Sequence, residues 1–446
     1  MKTSPRLLIP ASLLLAVTLA LSLTGRAADL PAFPGAEGFG ATTPGGRGGK
    51  ILFVTTLDDA GPGSLRAACD AQGPRIVLFR VAGTIALKQP ITVRNPFLTI
   101  AGQSAPGDGI CLRDATFGIQ THDVIVRYLR VRLGDETARE ADCIDLLNGA
   151  HHGILDHCSA TWSIDECLST SGVNEHCTIQ WCLIGESLRQ SKHAKGPHGY
   201  GSLARANGPI SWHHNLWIHN DARNPRLGDA YDRPPSPTFD VRNNVMYDFG
   251  GTASGLTQGH WIANYVGNYL RPGPSSTAKA PIHIGNKPVD SNITFYLHGN
   301  IFEGNDAMNA DNSKFIDFYE IDGKPQVKTV ATPFPTAPVT TVSAKEAYEL
   351  VLASVGASLP VRDSADARLV NHVRTRTGKM INSQTEVGGW PDLKSAPLPT
   401  DTDNDGMPDA WETARGLNPR DATDAAKLAK SGYANIEEFI NSIAPR

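Results

Sequence analysis

The chain has no surplus of basic charge. Its 41 Lys and Arg stand against 45 Asp and Glu, a net charge of −4. That excludes the global positive field that recruits nucleic acid, so a polyanionic partner has to be held by local basic groups or by metal. After the N-terminal segment no stretch is apolar enough to span a membrane. There is no Cys-x-x-Cys and no Cys/His spacing of the zinc-binding kind. Helical periodicity is missing between the β-rich runs, which disfavours βαβ units, and hairpin signals are too few for a sandwich or a propeller.

What is there begins with Lys2 and Arg6, an apolar run from Leu7 to Leu23 broken at Pro10, and small residues at Gly25 and Ala27. This reads as an export signal over residues 1–27; the competing reading is a membrane anchor, for which the run is short. Seven cysteines follow: Cys69, Cys111, Cys143, Cys158, Cys167, Cys177 and Cys182. In an exported protein some can pair, and an odd count leaves at least one free. Most are expected as small buried residues on strands.

From about 95 to 302, short β-rich runs end in turn residues. Examples are Val124-Ile125-Val126-Arg127-Tyr128, Thr178-Ile179-Gln180-Trp181 and Ile210-Ser211-Trp212-His213-His214. One turn position recurs at Cys158, Cys182, Asn215, Asn244, Asn268 and Asn300, with steps of 24, 33, 29, 24 and 32 residues. Each run is too short to bury a face alone, and stacking coil on coil gives a continuous core. Asn tolerates left-handed backbone, and stacked amides bond between neighbouring coils. The pattern predicts an all-β parallel β-helix over 28–342. A helix over 343–353, capped by Ser343 with Glu346 completing a capping box, opens an extension over 343–398 that packs back on the scaffold. A linker, Ala396 to Thr400, leads to a last module, 399–446.

Polar residues cluster along three successive repeats: Asp142 and Asp145, then Asp165 and Glu166, then Lys192, His193 and Lys195, then Arg223 and Arg226. An acidic cluster able to hold a metal, facing a basic one, suits gripping an acidic sugar polymer and removing a proton from it. Residues three apart on a strand point to opposite faces, so Asp142 and Asp145 cannot both bind one ion unless a turn intervenes. The bland alternatives are turn or capping carboxylates and a surface pairing of the arginines. His157 is expected to order a turn.

Near the C-terminus, Asp401-Thr402-Asp403-Asn404-Asp405-Gly406-Met407-Pro408-Asp409-Ala410-Trp411-Glu412 fits a calcium loop position by position. Asp401, Asp403, Asp405, Asp409 and Glu412 supply carboxylates, Met407 its backbone carbonyl, and Gly406 the sharp turn. A second half has Gly432 and Glu438 in register, but Lys427, Ala429 and Ser431 are poor chelators, so only a structural helix is expected there. The module resembles the calcium-binding appendages, dockerin-like or thrombospondin-type-3-like, of secreted bacterial enzymes. Its expected part is stability or attachment.

Several stretches between 33 and 300 carry a further resemblance: Phe33-Pro34-Gly35-Ala36-Glu37-Gly38-Phe39-Gly40, Gly61-Pro62-Gly63-Ser64-Leu65-Arg66, Asp156-His157-Cys158-Ser159, Trp162-Ser163-Ile164-Asp165-Glu166 and Lys195-Gly196-Pro197-His198-Gly199-Tyr200-Gly201. Together they resemble the pectate lyases of polysaccharide lyase family 1. The resemblance implies a right-handed parallel β-helix and β-elimination of de-esterified polygalacturonate, giving 4,5-unsaturated oligogalacturonides, with Ca2+ bridging enzyme and substrate. It makes Arg223, the first arginine of an Arg-x-Pro motif, the base, and so implies an alkaline optimum. It puts calcium on Asp142 and Asp165, with Glu166 as the register-shifted option; the third carboxylate of the pattern falls on Ser169. Lys195 takes the substrate-binding lysine position. The second arginine usually lies five residues after the first, but position 228 is Gly, and Arg226 stands in for it. His193 and His198 are candidates to line the same groove.

The reading as a whole is an exported, monomeric polysaccharide lyase with an acidic polysaccharide as partner and neither nucleic acid nor membrane. Competing readings are a lyase of the same fold acting on pectin or another uronate polymer, a glycoside hydrolase, in which Arg223 would lack a role, and a non-catalytic glycan-binding β-helix.

Overall fold

The computed structural model describes residues 30–231, 236–256, 259–284, 291–318 and 326–444. The expected export signal over 1–27 lies outside them. Among the described residues no helix is long and apolar enough to cross a membrane.

The short β-branched and aromatic runs form strands that cannot bury a face alone, and the chain solves this by coiling. One coil runs through His151–Asp156, Ser159–Thr161 and Leu168–Thr170 before Glu175–Gln180 begins the next. Equivalent strands stack in parallel into three sheets of eleven, nine and nine strands, which makes the body a parallel β-helix. Inward-facing positions line up across coils. Val126, Leu155, Ile179, Trp212, Val241 and Tyr265 form one buried column of the first sheet. All seven cysteines are buried and unpaired.

The corner from first to second sheet is two residues long in every coil from Arg127 to Ile301. The first of the two is left-handed at Tyr128, His157, Trp181, His214 and Asn243, with φ of 51–56°. Left-handed backbone costs a non-glycine residue about 1–2 kcal/mol, and stacking offsets it here. The rings of Tyr128, His157, Trp181 and His214 lie 4.9, 5.7 and 4.4 Å apart in succession. His157 also bonds Asp156, 2.8 Å away, and so orders its turn. The second corner residue builds the amide ladder: Asn215, Asn244, Asn268 and Asn300 each accept, at 2.8–3.0 Å, the backbone N–H of the preceding corner. Each also donates its Nδ2 to a carbonyl of the preceding coil's strand. The connection from second to third sheet is not fixed. From Arg132 to Ile282 it varies between 6 and 17 residues.

The extension covers the outside of the second sheet. The helix Ala344–Ser354, with Ser343 accepting from Glu346 N, and the helix Ser364–Thr375 pack Val351, Leu352, Leu369 and Val373 on Leu183, Leu216 and Val245. Arg132 is fully buried beneath them, held by Asp363 and Asp366 at 2.8 Å. Such buried charges persist only when paired.

The C-terminal segment covers the first strands of the first sheet. Met407, Ala425, Ala434, Ile436 and Ile440 pack on Ile76, Leu78 and Ala101. The helix Asn435–Ser442 forms as expected. No helix precedes the acidic loop: residues 391–400 carry no regular structure, with Pro391, Pro397 and Pro399 removing helical donors. The segment is therefore not a helix–loop–helix pair, and the short helix Asp409–Thr413 only closes the loop.

Candidate active site

The chemistry-bearing residues come from the variable connections between second and third sheets on four successive coils. Asp142 ends the first connection, Asp165 and Glu166 lie in the second, His193 to Tyr200 in the third, and Arg223 in the fourth. Parallel stacking places equivalent positions of neighbouring coils about 4.8 Å apart, so residues distant in sequence meet. Glu166 bridges Tyr200, and Tyr200 bridges Ala222, the neighbour of Arg223.

Asp142 precedes the strand Ile144–Leu146, so the alternation that separates it from Asp145 does not apply within one strand. One ligand oxygen each of Asp142, Asp165 and Glu166 lies within 4.8 Å of the others. Asp142 Oδ1 accepts from Glu166 N at 3.3 Å. Burial lifts the Asp142 carboxyl to about 7; a bond from Ser169 and the charge of Arg223 pull it down, and Asp165 pushes it up. Ser169 Oγ itself accepts from Leu203 N at 3.1 Å. Asp145 is buried on the adjoining strand, its carboxyl pushed well up by burial and by the charge of Asp142. Oxygen donors of this kind suit a hard divalent cation such as calcium.

Arg223 has left-handed backbone, φ 62°. Its carbonyl accepts from Ser202 N at 2.6 Å. Gly201 allows that approach, since a Cβ there would stand 2.6 Å from the same carbonyl oxygen. The guanidinium lies over the Tyr200 ring, 3.9 Å from its centroid, and is ion-paired with Glu166. Glu166 is thus shared between the acidic group and the arginine. Burial, then the charge of Arg226, pushes the Arg223 guanidinium down to about 10; Asp165 and Asp142 oppose the shift.

Arg226 starts the third-sheet strand Arg226–Asp229, and burial and Arg205 lower its affinity for a proton. Arg205, on the neighbouring strand, donates to Asp229 O at 2.9 Å and lies 3.9 Å over the ring of Tyr231, which is 64% exposed. Sequence reading missed Tyr200, Arg205 and Tyr231. The alternation in Leu203-Ala204-Arg205-Ala206, with Ala204 and Ala206 buried, was the available sign that Arg205 faces outward.

Lys195 is exposed on the third connection. His193 and His198 are buried beside it, their rings stacked 3.7 Å apart. His193 Nε2 approaches Glu140 at 3.6 Å and Asp165 at 3.9 Å, and His198 Nε2 approaches Asp165 at 3.3 Å. Asp165, His193 and His198 also converge as a second group of ligand atoms. His193 Nδ1 accepts from Lys195 N at 3.1 Å, which leaves its proton on Nε2, facing the carboxylates. His198 Nε2 makes the nearer approach to Asp165, with His193 stacked behind it.

The C-terminal loop gathers Asp401, Asp403 and Asp405, and a second group shares Asp405 with Glu412 and Asp424. Met407 is buried, and its N–H donates to Asp405 Oδ1 at 2.8 Å. Asp409 lies apart, its carboxylate held by the N–H and hydroxyl of Thr402 at 2.8 and 2.7 Å. Burial first, then the neighbouring carboxylates, lifts Glu412 to about 7.

No family model matches the chain. It is 37% identical over 429 residues to a probable pectate lyase C of Aspergillus terreus, covering 93% of this chain and 94% of the relative. To a probable pectate lyase C of Emericella nidulans it is 35% identical over 430 residues, covering 93% of each. Among solved structures, the major allergen of cedar pollen aligns with a TM-score of 0.50 at 17% identity, over 72% of this chain and 92% of that one. A pectate lyase from Bacillus sp. N165 in complex with trigalacturonate aligns with a TM-score of 0.50 at 16% identity, over 72% and 98%. These two share the fold.

Proposed function

The chain belongs to the pectate lyase family and is a polysaccharide lyase, and on that premise we propose that it cleaves de-esterified polygalacturonate by calcium-assisted β-elimination, with Arg223 as the base. The observation that carries this reading is the setting of Arg223. It is packed on Tyr200, paired with Glu166, set beside the Asp142 and Asp165 carboxylates, and lowered by burial to about 10.

Neutral Arg223 takes the proton from C5 of a galacturonate unit. The electron pair left behind forms the C4=C5 double bond as the C4–O bond breaks, and the departing oxygen is protonated from solvent. Asp142, Asp165 and Glu166 are the residues that would hold calcium, which would supply charge stabilisation for the developing carbanion. Arg226 and Lys195 grip further carboxylates of the polymer. His198 keeps Asp165 in place, and His193, stacked on it, lines the same groove.

The same reading takes residues 1–27 as an export signal, 28–342 as the catalytic body, 343–398 as its extension and 399–446 as a calcium module. In that module Asp401, Asp403, Asp405, Met407, Asp409 and Glu412 are the candidates. The protein is then a secreted monomer.

Ultraviolet absorbance of the unsaturated product tests the reading. On polygalacturonate at alkaline pH, absorbance should grow with calcium and stop with a chelator. Growth on methylated pectin that ignores the chelator, with none on polygalacturonate, would replace it by a pectin-cleaving activity.

A further inference from the structure

Glu412 is fully buried, and neither of its carboxylate oxygens has a hydrogen-bond partner. Asp405 and Asp424, each 3% exposed, converge on it, and Asp405 Oδ2 and Asp424 Oδ1 are likewise unpartnered. Asp403 Oδ2, beside Asp405, is a further buried oxygen without a donor. Buried carboxylates left in this state are costly unless something positive sits among them. Asp424 arrives from outside the twelve-residue loop pattern. The turn that brings it is fixed by Asn418 N donating to Asp424 Oδ2 at 3.1 Å, which leaves Oδ1 to face Glu412.

The loop that carries these carboxylates is also the docking surface of the segment. Arg80, just after the first-sheet strand Arg75–Phe79, bonds Asp401 at 2.8 Å and Asn404 at 2.9 Å. A Cβ on Gly406 would stand 2.6 Å from Leu78 Cδ1, so the loop presses directly on the sheet. Met407, next in the chain, is buried against Ile76 and Leu78.

We propose that Asp403, Asp405, Glu412 and Asp424 bind one hard divalent cation of the calcium class, with Asp424 in the place that the loop pattern gives to Asp409, and that this cation latches the C-terminal segment onto the first coils of the β-helix. The proposal rests on the calcium reading of the loop and is independent of the elimination chemistry. With the cation bound, the loop keeps the shape that seats Met407 on Ile76 and Leu78. Without it, the converging carboxylates repel one another and the seat opens.

Terbium stands in for calcium in the test, with Trp411 inside the loop as sensitiser. The full chain is used with Asp142→Asn and Asp165→Asn, so that the groove does not contribute. Asp424→Asn and Glu412→Gln should each weaken terbium binding by about tenfold or more, as loss of a charged ligand does. Asp409→Asn should change it less than threefold. A wild-type titration for Asp424→Asn with a tenfold loss for Asp409→Asn would overturn the ligand assignment while keeping the loop as a cation site. Titrations untouched by Glu412→Gln would remove the cation site altogether. On the unmodified protein, chelation should speed hydrogen exchange in both the 401–444 segment and the 75–79 strand, and calcium should restore it. Binding with no change in exchange would overturn the latch.

Discussion

Asp142, Asp165 and Glu166 share their surroundings with Arg223, and Arg226, Arg205 and Lys195 stand on neighbouring coils. Asp401, Asp403, Asp405, Glu412 and Asp424 have Arg80 as their salt-bridge partner among the described residues, and that arginine reaches only Asp401. The first cluster is open on one side, and Asp165 keeps a 27% exposed side chain. The second is closed, with Glu412 fully buried. A site that exchanges a polymer needs groups whose charge is already balanced, because each turnover empties it. A site that holds permanently can leave its carboxylates unbalanced and let a resident cation complete them. On the proposed roles, the same residue types serve turnover in one place and retention in the other, and the supply of local cations separates them.

The largest expected effect comes from removing the cation at the centre of the open cluster. Arg223→Ala should lower kcat on polygalacturonate by about 10²–10⁴, with the circular dichroism spectrum unchanged. Retention of even a tenth of the rate would move the base elsewhere and dissolve the contrast. Next in size is pH. With Arg223 pushed down to about 10, its neutral fraction grows about tenfold per pH unit below that value. The rate should climb by about a hundredfold from pH 7 to 9, and a flat profile would count against a neutral arginine as base. Arg205→Ala removes a cation from the strand paired with that of Arg226, away from the proposed base. It should raise KM about tenfold, the value of one charged hydrogen bond, with kcat within about twofold; equal losses in both would place Arg205 nearer the chemistry. The smallest effect belongs to the closed cluster. Arg80 and Asp401 are partly exposed, so Arg80→Ala should cost about 0.2–1 kcal/mol in calcium, by urea unfolding. In chelator the cost should be larger, since Arg80 is then the counter-charge that remains.

The scaffold was legible because its rule is local. An Asn at the second corner residue bonds the same way in each of the four coils that carry it, so the recurrence from Asn215 to Asn300 carries the architecture. The left-handed partners were harder to see, since Tyr128, His157, Trp181 and His214 share only a flat ring. At the site, Asp142, Glu166 and Arg223 were readable as types, but their meeting depends on connections of unequal length. Tyr200 had no sign of its own: it matters because it lies between Glu166 and Arg223. Asp424 was invisible for the same reason. A twelve-residue pattern points to Asp409, and only the turn through Asn418 shows another carboxylate closer to Glu412.

The corner that stays two residues long and the connection that ranges from 6 to 17 carry a consequence for how such a groove changes over time. Insertions on the variable side leave the amide ladder and the inner columns in step, so the cost of altering length is confined to the surface that carries the candidate site. A lineage can widen, narrow or recharge its cleft one coil at a time while the frame keeps its rhythm. Grafting a foreign connection between Gly185 and Leu203 is the engineering form of the same freedom.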